Sequence, residues 1–174
     1  KPGEVFLGLP HRLDRPTSGV VLFARTSKAL ERLNAMFQSH DQIRKTYWAI
    51  VQQMPPKPSG ELVHWMVRNE KQNKSYAYDT ERKDAKKAIL EYNVIAHSQN
   101  YHLLEVTLKT GRHHQIRCQL AKMGCPIKGD LKYGAPRSNP DGSICLHSRK
   151  VEFIHPVSKE RIHIEAPLPS GKLW

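Results

Sequence analysis

The sequence predicts an α+β fold: a mixed, largely antiparallel sheet with a few flanking helices. Several short segments are apolar or alternate with the period of a strand, whereas only two segments carry apolar residues at helical spacing. The predicted strands follow one another through short or hairpin links, which makes a helix-rich α/β fold the weaker alternative. A chain of 174 residues also fits one domain, residues 1–174.

The first helix is predicted between two early strands. Residues 19–24 are continuously apolar, which favours a strand covered on both faces. Ser27 can then cap a helix that runs to about Ser39. Its apolar residues recur at helical spacing: Leu30, Leu33, Met36 and Phe37.

The rest of the chain is predicted to be mostly strands. The polar and charged segment 69–87 is interpreted as a solvated loop or hairpin tip, and only secondarily as a contact with RNA. A second, short helix is predicted at 113–123 because Gly124 can end it and Pro126 prevents its continuation. Further strands are predicted at 45–51, 61–68, 88–96, 102–109, 144–153 and 161–165.

The charge balance points to a polyanionic partner. The chain has 28 Lys and Arg against 16 Asp and Glu, a formal net charge of +12. Nucleic acid is the natural candidate, although a merely basic surface would have the same composition. An anionic membrane is a weaker option because no basic amphipathic helix is evident, and no segment has the roughly 20 apolar residues that cross a bilayer.

The cysteines and histidines predict neither disulfides nor a metal site. Three cysteines without a CxxC pair exclude a disulfide framework and a zinc ribbon, and they fit a reducing cytoplasm. The ten histidines form no HExxH motif and no Cys/His cluster, so we interpret them as polar packing or RNA contacts. With no coiled-coil or apolar interface signal, a monomer is the default expectation.

Residues 11–19, HRLDRPTSG, hold one carboxylate among two arginines, a histidine and two hydroxyls. Neighbouring arginines favour an ionised Asp14, which could act as an oxygen nucleophile or general base. Pro16 and Gly19 would shape a loop that presents this side chain into a cleft. The alternative from composition alone is a turn whose aspartate caps backbone amides.

This segment resembles the signature of the RluA family of RNA pseudouridine synthases, and four further segments resemble the family's motifs in the same order. Together they cover roughly residues 8–167. The four further segments are Lys45-Thr46-Tyr47 (K-x-Y), residues 110–117 (TGRHHQIR, against TGRTHQIR), residues 126–134 (P-I-x-G-D … Y-G), and residues 146–156 (L-H … F-x-H-P).

The resemblance implies the pseudouridine synthase catalytic fold and an isomerase acting on uridines in structured RNA, ribosomal rather than transfer RNA. Asp14 would be the catalytic residue, Tyr47 would lie against the target base or sugar, and Arg117 would pair with Asp14. Substrate contacts would come from Arg12, Arg15, Leu146 and His114. The chemistry requires no cofactor and no metal, and RNA would be the partner.

Two departures from the family pattern stand within the motifs: His113 replaces a usual Thr, and Ser148 replaces a common Ala. Family members also carry strands upstream of the aspartate motif, and some carry an S4-type domain, so we expect that an N-terminal segment is missing and that no S4 domain is present. The competing hypothesis is a non-catalytic RNA-binding module. A hydrolase ranks last because no second carboxylate accompanies Asp14.

Overall fold

A computed structural model of the protein describes residues 3–174. Among these residues, no helix is long and apolar enough to span a membrane. The elements are, in chain order, β1 (Ser18–Gly19), α1 (Ser27–Ser39), β2 (Ile43–Val51), β3 (Ser59–Asn69), β4 (Lys74–Tyr78), β5 (Lys86–His97), β6 (His102–Leu108), α2 (Gln115–Lys122), a 3₁₀ helix (Leu131–Tyr133), β7 (Leu146–Ile154) and β8 (Arg161–Glu165).

The strands form one eight-stranded sheet in the order β1–β7–β2–β6–β5–β3–β4, with β8 also paired to β7. The pairing of β1 with β7 is parallel, and the other six pairings are antiparallel. The predicted mixed, largely antiparallel sheet is therefore confirmed. The central strands β2 and β6 carry the core, and α2 packs against it through Ile116 and Leu120.

Helix α2 is buried on nearly every side, since all residues from Gln115 to Leu120 are buried. This burial brings three polar side chains into the interior, where each needs a partner. The Gln119 amide, for example, donates to the backbone carbonyls of Leu62 and Ala88 at 3.3 and 3.2 Å. Arg117 belongs to the same helix, and its partners define the site described below.

The predicted strand at 19–24 is wrong beyond its first residue. Only Ser18 and Gly19 pair with β7. The segment then passes over the sheet edge towards α1 with one side on the core, so Val20 and Ala24 are buried while Phe23 is 58% exposed. An uninterrupted apolar run is therefore not covered on both faces here.

Two local predictions also need correction. The bounds of α1 are as predicted, but its N-cap is Thr26, whose hydroxyl accepts from the Ala29 N–H at 3.1 Å, and Ser27 lies inside the helix. The segment 69–87 contains the five-residue strand β4 as well as a hairpin turn. Local polarity could not predict β4, because it is stabilised by pairing with β3 and by packing against α2.

Candidate active site

Asp14 lies in a loop that the sheet anchors on one side. The Thr17 N–H donates to the Asp14 carbonyl at 2.8 Å, which closes a turn across Pro16. Gly19 follows with φ of +124°, and a Cβ at this position would lie 2.3 Å from the Ser148 carbonyl oxygen. Only glycine therefore allows β1 to lie this close to β7, and this close approach holds the Asp14 loop over the sheet.

A cavity of about 800 Å³ opens beneath this loop. All seven residues that the resemblance singled out line it, although they come from the loop before β1, from β2, from α2 with its preceding residue, and from β7. They are Arg12, Asp14, Arg15, Tyr47, His114, Arg117 and Leu146. The structure thus brings these residues together, and their individual roles stay predictions.

Arg117 joins two carboxylates. Its Nη1 lies 3.5 Å from Asp14 Oδ2, while its Nε and Nη2 donate to Asp130 at 2.8 and 2.9 Å. Arg117 is 5% exposed and Asp130 is 1% exposed. Burial on its own would lower the Arg117 pKa, but the hydrogen bond and charge of Asp130 raise it, so the guanidinium stays charged. The bidentate pair with Asp130 orients the group that faces Asp14.

The His114 ring is enclosed between Tyr133 and Arg117. Its Nδ1 lies 2.8 Å from the Tyr133 hydroxyl, and its Nε2 lies 3.2 Å from Arg117 Nη1 and 3.9 Å from Asp14 Oδ1. Because a guanidinium can only donate, we assign Nε2 as the acceptor and place the single ring proton on Nδ1. Burial, followed by the Arg117 charge, lowers the His114 pKa to about 3, which keeps the ring neutral.

This enclosure favours a positioning role for His114, which holds Arg117, over the direct RNA contact that the resemblance implied. The residue has left-handed backbone angles, φ 54° and ψ 29°, immediately before α2. Such angles are uncommon for a non-glycine residue and are found where the surroundings enforce them. They also explain why α2 begins at Gln115, two residues later than predicted.

Tyr47 and Leu146 form the wall of the cavity on the sheet side. Burial, with a smaller contribution from the charge of Asp14, outweighs a hydrogen bond to Ser148 and raises the Tyr47 pKa to about 12. The phenol is therefore protonated at every pH at which the fold would be assayed. Leu146 is almost fully buried and presents an apolar surface beside it. A flat, neutral aromatic side chain next to an apolar one suits a pyrimidine ring.

The cavity is strongly cationic. Among the described residues that line it, Asp14 is the sole carboxylate, against six Arg and Lys: Arg12, Arg15, Lys45, Arg68, Arg112 and Arg117. No role was predicted from the sequence for Lys45, Arg68, Arg112, Asp130 or Tyr133. Three of them were nevertheless inside quoted motifs, Lys45 in K-x-Y and Asp130 and Tyr133 in P-I-x-G-D … Y-G, and the recurrence of these motifs in the family was the available signal.

His113 ties a hairpin to this site. Its ring stacks on His114 with centroids 3.7 Å apart. Its Nδ1 lies 2.8 Å from the Ser75 hydroxyl on β4, and its Nε2 lies 3.1 Å from Asn73 Oδ1 in the turn between β3 and β4. The departure from the family's usual Thr therefore adds contacts that fix the hairpin against the cavity.

Acid is expected to destabilise the fold through its buried histidines. Burial, followed by the charge of Lys45, lowers the His11 pKa to about 4, and that of His114 is about 3. Both stay neutral when folded but gain a proton below about pH 6.5 when unfolded. Stability should therefore fall as the pH drops from 6.5 towards 4, with each group contributing up to about 1.4 kcal/mol per pH unit.

Urea unfolding between pH 4.5 and 7.5 would measure this slope. His11→Gln and His114→Asn should each flatten it, because each removes one group that titrates only in the unfolded state. The exposed Gln99→Ala variant removes no titratable group, so it is the control and should keep the wild-type slope. Equal slopes in all four proteins would contradict the assignment of neutral, buried rings.

Comparisons with known proteins show the family of the chain. The sequence model described as RNA pseudouridylate synthase matches residues 2–122. "tRNA pseudouridine synthase C" of Vibrio parahaemolyticus is 30% identical over 176 residues, which cover 91% of this chain and 70% of the relative. "Ribosomal large subunit pseudouridine synthase D" of Zymomonas mobilis is 30% identical over 170 residues, 93% of this chain and 53% of the relative. The chain spans about half the length of several such relatives.

Solved structures extend the similarity to the whole fold. The structure titled "Human RNA Pseudouridylate Synthase Domain Containing 4" superposes with a TM-score of 0.77 at 25% identity, covering 94% of this chain and 72% of the human one. The predicted pseudouridine synthase fold is therefore confirmed. Because the matching sequence model covers well over half of the residues and the relatives match almost all of them, the chain belongs to the RNA pseudouridylate synthase family.

Proposed function

We propose that this chain is the catalytic part of an RNA pseudouridine synthase and that Asp14 is its catalytic carboxylate. The observation that carries the proposal is the position of Asp14, which is the sole carboxylate among the described residues lining a cavity with six Arg and Lys. The reaction breaks the N1–C1′ bond of a uridine, turns the uracil, and forms a C5–C1′ bond. N1 gains a proton and C5 loses one to water, so the product is an isomer of the uridine.

Asp14 is placed to act at the sugar. Its side chain is 29% exposed and can meet a ligand in the cavity, while Arg117 lies 3.5 Å behind it. The guanidinium places a positive charge within ion-pair distance of the carboxylate. A carboxylate there can add to C1′ as a nucleophile or assist elimination to a glycal, and both routes need the same residue in the same place. Asp130 keeps the guanidinium from turning away.

The remaining residues suit a uridine that has been turned out of its helix. Tyr47 offers a face for stacking and a hydroxyl that can move a proton, and Leu146 offers an apolar wall. Arg12 and Arg15 border the mouth of the cavity from the Asp14 loop. They are suited to steady the vacated position in the RNA or its phosphates.

The choice between RNA classes is part of the proposal. The family resemblance favours ribosomal RNA, while the relatives carry names of both kinds, one for tRNA and one for the large ribosomal subunit. A monomer acting in the cytoplasm stays a prediction from the sequence. The three cysteines, Cys118, Cys125 and Cys145, are buried and unpaired, as a reducing compartment allows.

Release of tritium from uridine C5 tests the proposal directly. The full-length protein would be incubated, without added metal, with [5-³H]uridine-labelled ribosomal and transfer RNA from cells that lack its gene. Tritium should enter the water, and carbodiimide mapping should place pseudouridine at discrete positions in one of the two RNA classes. A folded protein that binds both RNAs in a salt-sensitive manner but releases no tritium would instead be a non-catalytic RNA-binding module.

A further inference from the structure

Lys45 is a buried cation without an anionic partner. Its side chain belongs to β2, is 7% exposed and lines the active-site cavity. Among residues 3–174 it makes neither a salt bridge nor a hydrogen bond, and its Nζ lies 5.4 Å from the centre of the Phe37 ring. Burial lowers the Lys45 pKa to about 8, so the ammonium is still mostly charged at pH 7. A buried charge with no counter-ion is unfavourable unless a ligand supplies one.

The side chains next to Lys45 in the cavity also have unused hydrogen-bonding capacity. His40 lines the same end of the cavity, and its buried Nδ1 has no hydrogen-bond partner among the described residues. Gly111 lies between them, since a Cβ there would be 3.3 Å from Lys45 Nζ and 2.9 Å from His40 Cε1. Arg112 adds a second cation, with its Nε anchored to the Lys87 carbonyl at 2.8 Å. This end of the cavity is therefore lined by two cations and by a ring nitrogen that has no partner among the described residues.

We propose that this end of the cavity is a phosphate subsite for the RNA backbone next to the target uridine, with Lys45 as its buried cation. The proposal rests on the proposed function and adds the path of the RNA strand to it. A phosphate carries a full charge, whereas the uracil ring is neutral, so the phosphate is the better partner for an ammonium that has no other. An N–H or N–H⁺ group on each of Lys45 and Arg112 can donate to its oxygens.

The geometry relates this subsite to the catalytic residues. Lys45 and Tyr47 are two residues apart on β2 and line the same cavity, so their side chains leave one face of the sheet about 7 Å apart. That spacing fits a base stacked on Tyr47 with a neighbouring backbone phosphate at Lys45. The subsite would thus hold the strand at a fixed distance from Asp14 without touching the reacting atoms, which makes Lys45 a binding residue.

The first test measures binding alone. Affinity for a short fluorescein-labelled oligouridylate would be followed across a range of salt concentrations in the Asp14→Asn background, to avoid turnover. Lys45→Met should weaken binding by about tenfold and reduce the slope of log affinity against log salt by about 0.7, the value for one lost phosphate contact on a single strand. The exposed Lys83→Met, outside the lining of the cavity, removes the same charge and should leave both quantities near the parent values.

Thermal unfolding without RNA separates binding from structure. Lys45→Met should raise the midpoint temperature, because it removes a buried charge and keeps the volume. A lower midpoint with an unchanged salt slope would show that Lys45 is a structural lysine, and would overturn the subsite. Unchanged affinity and an unchanged slope would overturn it as well.

The second test identifies the ligand atom. Stem–loop RNAs containing a uridine mapped by the tritium assay would each carry one neutral methylphosphonate beside that uridine. At one position the wild-type protein should lose about tenfold in affinity, while Lys45→Met should lose almost nothing. If the loss of affinity caused by the methylphosphonate simply adds to the loss caused by Lys45→Met at every position, Lys45 contacts a base carbonyl instead, and the phosphate subsite is refuted. If the oligouridylate binding results are as expected but no tritium is released, the phosphate subsite is supported and the proposed function is refuted.

Discussion

Asp14→Asn is expected to reduce tritium release by at least about 10³-fold, while the affinity for RNA stays close to that of the wild type. Asparagine keeps the shape of the side chain but has neither the charge nor the nucleophilicity of a carboxylate. The fold should persist, since Arg117 keeps its closer partner, Asp130, at 2.8 and 2.9 Å. Single-turnover release and filter binding on the same RNA would measure the two quantities separately.

A matched control removes a carboxylate elsewhere. Asp84 is exposed in the β4–β5 loop with φ of 64°, a conformation that asparagine also tolerates, so Asp84→Asn changes the same charge without strain. This variant should release tritium at the wild-type rate. Retention of more than about a tenth of the activity by Asp14→Asn would show that another group performs the chemistry, since loss of a nucleophile costs far more.

The second large effect is expected from Arg117→Met, which should abolish activity and lower the free energy of unfolding by about 3–5 kcal/mol. The loss of stability arises because Asp130, 1% exposed, would be left as a buried charge without a partner. The loss of activity arises because the guanidinium that faces Asp14 at 3.5 Å is gone. Since small domains are stable by only about 5–15 kcal/mol, urea unfolding would detect the change readily.

A double variant separates these two effects. Arg117→Met combined with Asp130→Leu removes both charges of the buried pair and should recover much of the lost stability, because a buried ion pair can often be replaced by apolar side chains. It should not recover tritium release, because Asp14 still lacks its cation. Recovery of activity in the folded double variant would contradict a role for Arg117 at Asp14 and leave it a purely structural residue.

The pair with Asp130 also explains why the site tolerates a buried arginine. Without Asp130, the Arg117 guanidinium would compete with water for Asp14, because the Asp14 side chain is 29% exposed at the mouth of the cavity. The bidentate contact with Asp130 fixes the plane of the guanidinium. On its other edge, Nη1 contacts His114, whose ring is held in turn by the Tyr133 hydroxyl. The Tyr133 hydroxyl in turn accepts from the Ser75 N–H at 2.9 Å, which connects the site to β4.

The family, the fold class and seven of the residues that line the cavity were predictable from the sequence. The motifs around Asp14, Tyr47 and Arg117 occur in the family's order, and the alternating segments from residue 88 onwards correspond to observed strands. Such features are readable because strand and helix periods, and short motifs, depend on residues close together in the chain. For the same reason the bounds of α1 agreed with its local pattern.

The partners of these residues depend on the three-dimensional fold. The strand β4 exists because β3 pairs with it, and Ser75 reaches Tyr133, 58 positions away in sequence. Lys45 was the lysine of the K-x-Y segment, but only the fold shows that it is buried in the wall of the cavity. Burial and ion pairing depend on contacts between residues far apart in the chain, and a local pattern carries no information about which distant groups will supply or withhold a partner.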